Sequence, residues 1–431
     1  MHTKLPQRYF LLKSAYFLRA YRRVRLLTLA VVLSQVSISG MPILLAEPIA
    51  RVESEAAQSS ASLQLVQGRE YYEAGQFAEA ATVWEQAAVA FAAQGDRLNQ
   101  AMVLSNLSLA YQQLGQWHQA TKATDTSLKL LHANGGATLS RVFAQALNTQ
   151  ASLQFALGQS EQALTTWQQA TAAYRQAEDQ AGITRSLINQ AQALRALGLY
   201  RRALTTLTQV NEIIQKQPDS LLKAAGLRSL GTSLQLIGDA DQSQQVLQQS
   251  LVVAQKLKSP RDISAALFSL GNTARSQQDN KAALAFYEQA SATSVDSTTK
   301  VQAQLNKLSL LLDQQQWSAA EALWPHIQSK IANLPASRTT VYAQINFAQS
   351  LMKLGRWGTH PISPSSVARL VAKAVQQAKS LGDQRAEAYA LGNLGNLYEQ
   401  TQQLSSAQAL TQQALLLAQA INAPDIAYNW Q

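Results

Sequence analysis

Residues 104–111 read Leu-Ser-Asn-Leu-Ser-Leu-Ala-Tyr and are followed by Gly115 and Ala120; residues 391–398 read Leu-Gly-Asn-Leu-Gly-Asn-Leu-Tyr and are followed by Gln402 and Ala407. In both, an apolar stretch ends at a tyrosine, a turn residue stands four positions on, and a small side chain stands five beyond that. Working outward, the turn recurs at Gly75, Gly115, Gly158, Gly198, Gly238, Gln278, Gln315, Gly355 and Gln402, at intervals of 40, 43, 40, 40, 40, 37, 40 and 47 residues. The last interval holds the insert Gly358-Thr359-His360-Pro361-Ile362-Ser363-Pro364, whose two prolines cannot continue a helix. A period this regular predicts an array of small units in place of one large core.

Five residues past each turn stand Ala80, Ala120, Ala163, Ala203, Ser243, Ala283, Ala320 and Ala407, with Val367 after the insert, and two helices are expected to cross closely there. Four residues further comes a bulkier group in most units (Trp84, Trp167, Leu207, Leu247, Tyr287, Trp324, Val371), then a small or apolar one such as Ala87, Ala170 or Ala290. These spacings put one buried stripe along a helix. Clusters such as Gly95-Asp96, Gly135-Gly136, Pro218-Asp219, Ser259-Pro260, Gly382-Asp383 and Pro424-Asp425 end the second helices. Each unit is therefore a helical hairpin, and the fold class is all-α.

The segments 104–120 and 391–407 resemble the tetratricopeptide signature, and the resemblance covers residues 61–424. It implies a right-handed superhelical solenoid of about nine hairpins that binds protein or peptide and carries no catalytic group or cofactor. The period near 40 in place of 34, without a closing proline, is read as a second helix longer by about six residues. Ala427-Tyr428 aligns with Ala388-Tyr389, so residues 425–431 are read as the start of an incomplete tenth repeat whose open edge would permit self-association. The ending Ala423-Pro-Asp-Ile-Ala-Tyr-Asn-Trp-Gln431 is similar to the repeat arms of cyanobacterial CHAT-domain proteins. That likeness implies an alternative function, the sensor or regulatory arm of a caspase-like peptidase.

Charge separates the leader from the array. Lys4, Arg8, Lys13, Arg19, Arg22, Arg23 and Arg25 precede residue 46 with no acid among them, leaving 29 bases against 26 acids in the rest, a charge of only +3. Residues 26–46 carry no charge and end in Ala46, so residues 1–46 read as a signal peptide, or as a membrane anchor if they are not cleaved, with residues 47–60 as a tether. An exported location, periplasmic or extracellular, follows, with membrane contact only through that segment. The near-neutral remainder argues against nucleic acid as a partner.

Catalytic chemistry has nothing to rest on. The chain has no cysteine, and His2, His118, His132, His326 and His360 are scattered without metal-ligand spacing. The glycines sit at repeat turns instead of forming a phosphate loop. Trp84, Trp117, Trp167, Trp317, Trp324 and Tyr287 fall on packing or turn positions rather than forming a stacking platform. What remains for function is the concave face of the first helices. In the middle units its positions are Arg185, Ile188, Gln192, Arg195, Arg228, Thr232, Gln235, Phe268, Asn272 and Arg275. Arg185, Arg195, Arg228, Asn272 and Arg275 are the candidate binding residues: the arginines suit the carboxylates of an acidic peptide or chain terminus, and Asn272 suits its backbone.

Overall fold

The computed structural model describes residues 60–131, 137–358, 361–421, 423, 426 and 427. Among them lie eighteen helices in nine antiparallel pairs. The first three pairs are α1 (Ser60–Glu73) with α2 (Phe77–Ala93), α3 (Arg97–Gln113) with α4 (Trp117–Leu131), and α5 (Ala137–Ala156) with α6 (Ser160–Gln176). The next three are α7 (Gln180–Ala196) with α8 (Tyr200–Ile214), α9 (Leu221–Ile237) with α10 (Ala240–Lys256), and α11 (Pro260–Ser276) with α12 (Asn280–Thr293). The last three are α13 (Ser297–Asp313) with α14 (Trp317–Ile331), α15 (Arg338–Trp357) with α16 (Pro364–Ser380), and α17 (Gln384–Gln400) with α18 (Leu404–Ala420). The expected signal or anchor segment, the tether up to residue 59, and most of residues 425–431 lie outside the described residues. Ile426 and Ala427 are helical and buried against the ninth hairpin.

The hairpin forms because its two helices approach over small residues. Ala80, Ala120, Ala163, Ala203, Ser243, Ala283 and Ala320 have no exposed surface, and Val367 and Ala407 are buried too. The facing position on the first helix, seven residues before the turn, is Gly68, Ser108, Ala151, Ala191, Gly231, Gly271, Ala348 or Gly395 in eight hairpins. A methyl added at Gly68 would lie 2.3 Å from the Trp84 indole nitrogen, and one at Gly271 would lie 2.6 Å from the Tyr287 ring. The seventh hairpin carries Leu308 there instead. Leu308 is fully buried, and Trp324 opposite it stays half-exposed, where the core was expected.

Two further expectations are corrected. The turn residue takes left-handed backbone at Gly75, Gly115, Gly158, Gly198, Gly238, Gln278, Gln315 and Gln402, but Gly355 does not. It lies inside α15, which runs on to Trp357, and Pro364 starts the next helix, α16, as its first residue. Nor does the extra length of the period sit in the second helix alone. In the fifth hairpin α9 and α10 are both 17 residues long, so each helix covers its partner from end to end.

Consecutive first helices pack on one another, whereas consecutive second helices splay apart, so the array curves with the first helices inside. It curves far enough to meet itself. Trp117 donates from Nε1 to the carbonyl of Ala336 at 3.1 Å, across 219 residues. Arg338, at the start of α15, donates from Nη1 to Ser160 Oγ at 3.1 Å and pairs with Asp383 at 3.2 Å. The side chains of this ion pair are 2% and 1% exposed. Asp383 also caps α17, accepting from the Ala386 N–H at 3.0 Å. Burial works against the Arg338 charge, but Asp383 and the neighbouring Tyr342 outweigh it and hold the guanidinium above its ordinary range.

The turn glycine Gly158 (φ +87°) lies against this pair: an added Cβ would sit 2.3 Å from Asp383 Cγ, whereas Gly198 (φ +75°) has open space. Gly198→Ala is expected to cost about 1 kcal/mol from the backbone alone. Gly158→Ala adds the clash and should cost about 2–4 kcal/mol. Urea melts followed by circular dichroism compare the two, and equal losses would mean that the array is not closed in solution. Asp383→Asn leaves a buried guanidinium without its counter-ion and should cost about 3–5 kcal/mol. The double change Arg338→Met with Asp383→Leu should recover much of that loss in the same melts.

Candidate functional site

Beneath the inner face, one register of the repeat is polar and almost wholly buried. Nine residues before the turn the first helices carry Asn106, Thr149, Asn189, Ser229, Ser269, Asn306, Asn346 and Asn393, a polar residue in eight of the nine hairpins. On a curved stack these positions fall beside the next first helix, and several are joined by hydrogen bonds between hairpins. Asn189 Nδ2 donates to Asn148 Oδ1 at 3.0 Å. Asn306 Nδ2 donates to Asn272 Oδ1 at 2.8 Å. Gln349 Nε2 donates to Asn393 Oδ1 at 2.6 Å. Sequence reasoning passed over this ladder, although its signal was a polar residue returning with the period.

The five candidate residues have separate fates. Arg185 is 9% exposed and lies at the start of α7 among Tyr174, Asp179 and Arg141, away from the open groove. Asn272 is 4% exposed, and its Oδ1 accepts both from Asn306 and from the Tyr287 hydroxyl at 2.9 Å, so that oxygen is already committed to the protein. Burial pushes the Tyr287 phenol up to about 12, against the opposing charge of Arg275. Arg275 donates to Ser309 Oγ at 3.1 Å and to Asp313 Oδ2 at 2.7 Å, while Lys353 takes the other oxygen of Asp313 at 2.7 Å. Arg195 reaches across to α9, donating from Nη1 to Ser229 Oγ at 2.9 Å and Ser233 Oγ at 3.2 Å. Arg228 stands beside that contact, half-buried, and its side chain makes no hydrogen bond or ion pair with any described residue.

The structure therefore brings Arg195 and Arg228 together, sets Arg275 one hairpin further on in a neutralised network, and withdraws Arg185. Ile188 and Phe268, expected on the groove wall, are core residues at 0% and 3% exposure. Gln192 and Thr232 remain half-exposed on the inner face. A cavity of about 130 Å³ opens among Arg275, Asn306, Ser309, Asp313, Gln349 and Lys353. Leu305 and Leu312 share its wall with these polar side chains.

With this geometry in hand the relatives can be placed. Residues 222–294, the span of α9 to α12, match the tetratricopeptide repeat family model. The fold is similar to that of a Rap protein complexed with competence and sporulation factor, with a TM-score of 0.57 and 12% identity over 84% of this chain and 98% of that one. It is also similar to the apo form of the quorum sensor NprR from B. thuringiensis, with a TM-score of 0.52 and 10% identity over 84% of this chain and 99% of that one. No curated protein matches the chain in sequence. At these identities the likeness is one of fold. Residues 222–294 carry tetratricopeptide repeats, and the described chain as a whole has the fold of an all-helical tetratricopeptide-like solenoid.

The ladder makes a stability prediction of its own. Asn272→Leu strands two buried donors, the Tyr287 hydroxyl and the Asn306 amide, and should cost about 2–3 kcal/mol. Thr232→Ala, on the same face with its side chain half in water, should change stability by about 0.5 kcal/mol or less. Thermal unfolding of the two variants side by side measures the difference.

Proposed function

We propose that this protein is a non-catalytic scaffold outside the cytoplasm that binds an extended peptide, or a protein segment, along the inner face of its first helices. The observation that carries the reading is the set of polar side chains that stay part-exposed on the concave side beside the ladder, Gln192, Arg195, Arg228, Thr232, Asn346 and Gln349, which the backbone donors and acceptors of a peptide can reach. The cavity at Arg275 and Gln349, of about 130 Å³, is smaller than the roughly 300–1,000 Å³ of a pocket that encloses a small molecule.

The names of the two structural relatives support the same reading: one was crystallised with a factor bound and the other is called a quorum sensor. Export rests on the basic and then uncharged segment up to Ala46. The charge of +3 over the remainder favours a peptide over a polyanion such as nucleic acid.

The test offers a pool of random decapeptides to the immobilised full chain and to a variant carrying Gln192→Trp and Thr232→Trp. These two changes fill the groove without removing an inter-hairpin bond described above. Wild type is expected to retain a reproducible subset of the pool, and the blocked variant to retain at least about tenfold less, the equivalent of losing about 1.4 kcal/mol. Equal retention by both would move binding off the inner face.

A further inference from the structure

The seventh hairpin is the loosest in the array. Among the described second helices, α14 has the least contact with its own partner, α13, and with the first helix that follows, α15. Two residues account for this. Leu308 fills the crossing where most hairpins carry a small side chain, so α14 stands off and Trp324 is left half-exposed. Pro325 lies inside α14, where it removes one backbone hydrogen bond and weakens the helix. On the inner side α13 and α15 stay packed together. A hairpin held on the inside and loose on the outside can serve as a pivot.

This hairpin adjoins the closing contact. Beyond α14 the chain runs through Pro335 and Ala336 to Arg338, and these meet the second and third hairpins at Gly115, Trp117 and Ser160. The contact joins loops and helix ends instead of whole helices. Asp383 lies on the same side of it as Arg338, so a full opening carries the ion pair into water together and strands neither charge. Room for the movement exists outside. A groove of about 700 Å³ separates α12 from α14, walled by Leu284, Ala285, Ala319 and Leu323 with Leu311 of α13. Straightening the array at the seventh hairpin narrows that groove, and the apolar surface buried there offsets part of what Trp117 and Leu157 lose at the contact.

We propose that the closed turn is a gate: bending at the seventh hairpin swings the eighth and ninth off the second and third. The inner face, reached along the axis alone while the turn is shut, then opens from the side. That a peptide is what enters rests on the reading above; the movement itself does not.

The chain has no cysteine of its own, so a disulfide lock can be placed without competition. A Cβ at Gly115 would lie 3.4 Å from Pro335 Cβ, close to the roughly 3.5–4.5 Å of a disulfide, so Gly115→Cys with Pro335→Cys bridges the contact. Hydrogen exchange read by mass spectrometry compares residues 317–344 with α10 in the full chain. In wild type and in the dithiol form, residues 317–344 should exchange at least about tenfold faster than α10. Oxidation should slow that stretch at least about fivefold and α10 much less. Pro325→Ala, which needs no bridge, restores the missing helix bond and should slow exchange in α14 at least about fivefold. Three results overturn the gate: protection of residues 317–344 equal to that of α10 in wild type, a slowing that oxidation spreads evenly over both, or unchanged exchange in Pro325→Ala.

The decapeptide pool then tests entry. Retention should build up at least about fivefold more slowly on the oxidised lock than on the dithiol form, and equal rates overturn the gate. If no form retains peptide, the peptide reading falls, while the exchange result still decides whether the turn opens.

Discussion

At successive hairpins two helices meet over residues too small to hold them apart, and the rest of the molecule depends on that approach. Gly68 against Trp84 and Gly271 against Tyr287 leave no room for even a methyl group. With the backbones this close, the bulky group of the second helix lies flat across the first, and one hairpin offers the next a nearly constant surface. A constant surface gives a constant step, and repeated steps with the first helices on the inside give a curve. The inner face is the accumulated result of a packing rule that concerns only the interior of each hairpin.

Curvature then creates contacts that no single repeat contains. When the second and third turns come round to the eighth and ninth hairpins, Ser160 and the bare backbone at Gly158 meet Arg338 and Asp383. An ion pair withdrawn from water in this way contributes little net stability, because desolvation offsets most of the attraction. Its effect is on geometry: the two charges tolerate one alignment of the superhelical turns, and a shift of either would leave a buried charge alone. The groove width is therefore fixed twice, locally by hairpin packing and globally by this closure.

The sequence made the first of these levels readable and hid the second. Turn positions, small residues at the crossing and the aromatic stripe all repeat, and repetition is what a single sequence displays well. It misled where a unit departs from the rule: Gly355 looked like a turn because of its spacing, and Trp324 looked like core because its place nine residues after the turn is core in other units, whereas here Leu308 stands opposite it where they carry a small residue. Arg338 and Asp383 carry no periodic mark, since each occurs once and their meeting depends on the sum of many small rotations. The candidate groove was half legible. Arg195, Arg228 and Arg275 do lie on the inner side, but the register that counts positions along a helix does not say which of them already has a partner.

That distinction bears on how such a face binds anything. A hydrogen bond between two hairpins occupies donors and acceptors that a ligand would need, so a complete ladder stiffens the array and offers little to a peptide. At Asn272 the carbonyl oxygen accepts twice from the protein, and displacing those donors would cost about what the new bonds return. Where the ladder is interrupted the exchange is one-sided, because a free donor gains an acceptor and nothing is broken. Affinity on an inner face of this kind should therefore concentrate at its gaps, and specificity should follow the chemistry that each gap lacks.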